Sequence, residues 1–83
     1  MENHDERYRQ VGINIAHYRR IKGWTQEDFA EKLSISRGYL SQIEAPNMAN
    51  SFSLATLFDI ADALEIEPKL LFDFVPVEPP QKS

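Results

Sequence analysis

Four times along this chain one pattern recurs: an apolar residue, a residue suited to capping a helix directly after it, and a second apolar residue five positions after the first. The instances are Trp24-Thr25 with Phe29, Ile35-Ser36 with Leu40, Phe52-Ser53 with Leu57, and Ile66-Glu67 with Leu71. A side-chain oxygen at the capping position can take up one of the backbone N–H groups left without a partner in a helix's first turn, while the two apolar residues clasp across it and fix the angle of approach. Each instance therefore marks a helix start. Starts this close together leave room only for short helices, predicted over 26–33, 37–44, 54–64 and 68–73. In the second helix the cap is reinforced, because Asp28 can return a bond to the backbone of Thr25. Pro68 stands first in the last helix, where a missing N–H costs nothing.

Upstream, Val11, Ile15 and Tyr18 recur at steps of four and three, the stripe of a first helix over 5–22 that Gly23 ends. No segment alternates apolar and polar residues between turn signals, so the class is all-α, with five helices. A chain of 83 residues has room for one domain with a modest core. Three of its five prolines fall in 75–83, which reads as a disordered tail behind a domain spanning 1–74. The chain has no cysteine, its first six residues are acidic and polar, and no apolar stretch approaches bilayer length. The expectation is a cytoplasmic protein with no membrane partner.

The second and third helices are about two turns each, joined only by Ser34-Ile35-Ser36, and so must cross steeply. Ala30 allows the close crossing, and Leu33, Ile35, Leu40 and Ile43 fill the seam. Left outward on the third helix are Arg37, Gly38, Ser41 and Gln42, with Tyr39 at the flank. An arginine pairs bidentately with guanine, a glutamine with adenine, and a serine bonds either bases or phosphate. Gly38 lets the backbone approach a groove floor. Gln26, first in the second helix, stands where free backbone N–H groups suit a phosphate. On an isolated helix the same face would be ordinary solvated surface; it is the crossing of two short helices that turns it into a candidate DNA reader.

Other chemistries find little support. Trp24, Tyr18 and Phe29 have the spacing of core residues and not of a base-stacking platform. His4 and His17 lack metal-ligand spacing, and Asp59 with Asp62 reads as a solvated face. Gly12, Gly23 and Gly38 are isolated and no serine sits in a nucleophile elbow. No enzymatic activity, metal, cofactor or small-molecule ligand is expected.

From Val11 to Phe72 the sequence resembles the Cro and phage-repressor-like helix-turn-helix proteins, also called the xenobiotic-response-element (XRE) family. The resemblance is carried by Ile15 with Arg19, by Gly23-Trp24-Thr25-Gln26-Glu27-Asp28-Phe29-Ala30, by Ile35-Ser36-Arg37, by Leu40-Ser41-Gln42-Ile43-Glu44, and by Leu54 to Leu64. It implies a compact five-helix, lambda-repressor-like domain that binds double-stranded DNA as a homodimer and regulates transcription, as a repressor or small autoregulator. Base contacts would fall to Arg37, Gly38, Ser41 and Gln42, and a phosphate contact to Gln26; Thr25 and Tyr39 beside them are further candidates for phosphate. It further implies that Glu44 pairs with Arg19. The chain departs from the family in placing Ser34 where the turn often has glycine, and in a longer connection after Glu44 that lacks basic residues. There Asn47 and Asn50 are the candidates for phosphate bonds.

Charge sets the conditions for such binding. The formal net is −4, but residues 1–44 carry seven basic and seven acidic groups, whereas 45–83 carry two basic and six acidic. An acidic far side predicts weak non-specific affinity and steep salt dependence, and hence reliance on dimerisation. Leu70, Leu71, Phe72 and Phe74 are more apolar than one small core needs and are the candidate dimer surface. The alternative is the same fold serving as a protein-interaction adaptor or antitoxin-like partner, to which an acidic surface is no handicap.

Overall fold

The computed structural model describes residues 4–45 and 52–73; Asn47, Asn50, Phe74 and the predicted tail lie outside them. Its elements are α1 (Asp5–Ile21), α2 (Gln26–Leu33), α3 (Arg37–Glu44), α4 (Leu54–Leu64) and a terminal 3₁₀ segment (Pro68–Phe72). No strand occurs among the described residues. The starts of α2, α3 and α4 follow the capping pattern. Thr25, Ser36 and Ser53 each accept a backbone N–H three residues on, and Asp28 completes the box by accepting the Thr25 N–H at 3.0 Å. The first clasp is a stacked pair, the Trp24 and Phe29 rings lying 5.6 Å apart.

Three of the connections share one construction. Gly23, Ser34 and Glu65 adopt left-handed backbone conformations, with φ of 80°, 59° and 62°. The next residue is apolar in each case and returns its N–H five residues back: Trp24 to the Arg19 carbonyl, Ile35 to Ala30 and Ile66 to Ala61. One apolar residue thus closes the C-terminus of one helix and clasps the start of the next element, which is why so few residues suffice between them. A non-glycine residue in this conformation carries a cost of about 1 kcal/mol or more, borne here at Ser34 and Glu65.

The fifth predicted helix is not an α-helix. Five residues can close hardly one α-type bond. The segment instead tightens to three-residue spacing, with the Leu70 N–H reaching Glu67 and the Asp73 N–H reaching Leu70. Asn14 on α1 holds its end, donating to the Leu71 carbonyl at 2.9 Å and the Asp73 carbonyl at 3.5 Å. This clamp turns Leu71 inward until it is fully buried with Ile15, Phe29, Leu40, Ile60 and Leu64. Leu71 is therefore core and cannot be part of a dimer surface as the sequence suggested. Leu70 is half-buried, and of that group Phe72 alone is exposed among the described residues.

The core joins all five elements, with α1 and α2 both packed on α3, and α1 and α4 both packed on the terminal segment. Gly12 makes the first contact possible. A Cβ built there would run into the backbone carbonyl oxygen of Ile43, and would lie 3.2 Å from its carbonyl carbon and 3.4 Å from the Cα of Glu44. The backbone of α1 thus lies directly against the end of α3.

Candidate nucleic-acid interface

On α3 the buried residues are Leu40, Ile43 and Glu44, and this leaves Arg37, Gly38 and Gln42 exposed and Ser41 half-buried. The spacing of 37, 38, 41 and 42 places them on one side of a helix. All four predicted base-reading positions therefore share the outer face. Tyr39 lies half-buried at its flank, packed against the core, and donates its backbone N–H to the Ser36 cap. Gly38 differs from Gly12 in a telling way: a Cβ added to it meets nothing within 4 Å and its φ is not left-handed. Nothing among the described residues requires glycine there, although glycine in a helix costs about 0.5–1 kcal/mol relative to alanine.

Beneath this face runs a buried polar network. Arg19 Nε donates to Glu44 Oε2 at 2.8 Å, and a terminal guanidinium nitrogen of Arg19 donates to the Trp24 carbonyl at 2.7 Å. Gln26 Nε2 donates to the other carboxylate oxygen, Glu44 Oε1, at 3.0 Å. The side chains of Arg19 and Glu44 are only 9% and 3% exposed, so the pair is shielded from water and the loss of either member would strand a charge. α1, the entrance to α2, and the end of α3 are fastened at this one point. The carboxylate of α3 being matched internally, Arg37 is the charge that the helix shows to solvent.

At the N-terminus of α2, Gln26 is half-buried and Thr25 exposed. Both predicted phosphate contacts are also structural. The Thr25 hydroxyl and N–H are both engaged with Asp28. The Asp28 carboxyl is held below its ordinary value of 3.8, first by the Thr25 backbone N–H, then by the Thr25 hydroxyl. Elsewhere Lys22 pairs with Glu65 at 2.8 Å and holds that carboxyl low. Sequence reasoning missed Gly12, Asn14 and the bond from Gln26 to Glu44. No local pattern announces them, since each depends on what the fold brings near.

The helix-turn-helix family model matches residues 15–71. The uncharacterized HTH-type transcriptional regulator YazB of Bacillus subtilis is 44% identical over 55 residues, covering 66% of this chain and 77% of YazB. The HTH-type transcriptional regulator SinR of the same organism is 32% identical over 63 residues, 76% of this chain but only 56% of SinR. Among solved structures, SinR in complex with DNA superposes with a TM-score of 0.68 at 32% identity, covering 76% of this chain and 98% of that one. The restriction-modification controller protein C.AhdI of Aeromonas hydrophila gives 0.69, also at 32% identity, over 76% of this chain and 92% of its own. With two short helices crossing at a capped three-residue turn and this match over most of its length, the chain belongs to the helix-turn-helix family of the Cro/C1, or XRE, type.

Proposed function

We propose that the protein is a sequence-specific regulator of transcription that binds a pseudo-palindromic operator as a homodimer, with α3 of each copy in the major groove. The observation that carries this reading is the outer face of α3: Arg37, Gly38, Ser41 and Gln42 side by side, with Gly38 unexplained by any contact among the described residues. Its resemblance to SinR, a regulator solved on DNA, supports it. The two recognition helices of such a dimer would stand about 34 Å apart. Gln26 and Thr25 would lie against phosphates beside the groove, Tyr39 at the flank would add another, and Asn47 and Asn50 remain candidates in the following connection.

Exposed apolar area supports the dimer. Leu54 and Phe58, one turn apart on α4, are 63% and 46% exposed, and Phe72 is 50% exposed. Leu54 and Phe72 line the same groove, an apolar surface that a second copy would cover. Leu70 is half-buried. The test is selection from a random duplex library at low and physiological salt, beside the Arg37→Ala, Gln42→Ala double variant. An inverted repeat enriched by the native protein and lost in the variant is expected. No enrichment at either salt would move the function to the protein-interaction alternative.

A further inference from the structure

The bond from Gln26 to Glu44 joins the residue that opens α2 to the residue that closes α3, and its chemistry has a direction. A carboxylate has no proton to donate, so the amide must turn its NH₂ group toward Glu44. One N–H is consumed at 3.0 Å, and the rotation of the amide is thereby set. The second N–H and the amide carbonyl stay available. Gln26 is half-buried, so its remaining donor has access to a partner at the surface. Glu44 itself is held from behind by Arg19, at 2.8 Å, and cannot follow Gln26 outward.

We propose that Glu44 is a positioning residue for DNA binding: it aims the free N–H of Gln26 at a backbone phosphate and ties that contact to the seating of the recognition helix it terminates. This rests on the operator-binding reading above and adds a residue that touches no DNA. A long side chain otherwise gives up rotamer freedom when it binds, and an amide already anchored on one proton loses less. The same tether makes the phosphate contact sensitive to any displacement of α3.

The experiment compares the effect of Gln26→Ala on affinity for the selected operator in two backgrounds, the native protein and an Arg19→Met, Glu44→Leu variant. Removing both charges together avoids stranding either one. Gln26→Ala should weaken binding about fivefold in the native background, the worth of one ordinary hydrogen bond, and less than about twofold where Glu44 is gone. Urea unfolding verifies that each variant is folded. If that pair does not fold, Arg19→Gln with Glu44→Met, which likewise removes both charges and the acceptor, takes its place. A Gln26 effect of equal size in both backgrounds would overturn the proposal and assign Glu44 to stability alone. A native protein that binds no DNA would overturn the operator reading with it. Protection of the Gln26 side-chain amide from solvent exchange, present in the native protein and lost in the variant, gives a second readout in the absence of DNA. Its absence in the native protein counts against the tether whatever the DNA result.

Discussion

Replacing Gly12 with alanine sets two effects against each other. Alanine in the middle of a helix is favoured over glycine by about 1 kcal/mol, so α1 alone would gain. The added methyl, however, meets the carbonyl of Ile43 and the Cα of Glu44, which are backbone atoms of α3 and cannot rotate away. Relief requires the two helices to separate, and overpacking of this kind costs about 1–3 kcal/mol and sometimes more. Because the obstacle is backbone and sits beside the Arg19–Glu44 pair, the upper end applies, and the net loss should be about 2 kcal/mol. In a domain of this size that lowers the Tm by roughly 8–16 °C. Gly38→Ala is the matched control. With nothing within 4 Å to obstruct it, the substitution should stabilise the fold by about 0.5–1 kcal/mol while weakening operator binding. Urea and thermal unfolding of both variants, with operator affinities, decide the matter. A Gly12→Ala protein as stable as the native one would refute the close approach of α1 to α3.

Glu44→Ala should cost about 3–5 kcal/mol by stranding Arg19, and Arg19→Met combined with Glu44→Leu should recover most of it; equal losses in the single and double variants would contradict a buried pair. Ser34→Gly relieves a left-handed φ of 59° and should raise stability by about 1 kcal/mol in urea unfolding, with no change in fold by NMR. The Asp28 carboxyl is depressed in the folded state by the Thr25 backbone and hydroxyl. Its contribution is therefore complete above its ordinary value of 3.8 and is lost as pH falls through the lower folded value. Asp28→Asn should flatten this part of the acid limb, and an unchanged slope of urea midpoint against pH would show that the capping box carries no such linkage.

The helix starts, the capping box, the Trp24–Phe29 clasp and the outward face of α3 were all readable from the chain itself. They depend on side chains within about six positions of one another, so local geometry settles them whatever the rest of the molecule does. The pairing of Arg19 with Glu44 came from family resemblance, since nothing in the spacing of 25 residues announces it. Packing settled what remained. Whether Leu71 faced the core or a partner depended on Asn14, 57 residues away, clamping its carbonyl. Gly12 looked like an isolated helix glycine until α3 was laid against it. Gln26, placed by sequence at a phosphate, proved also to be anchored by a residue 18 positions on. Left-handed Glu65 had no glycine to mark it, and was held by the burial of Ile66 beyond it. In each of these cases the deciding atom is distant in sequence, or its cost is offset by tertiary contacts, and a reading of neighbours along the chain has no term for either.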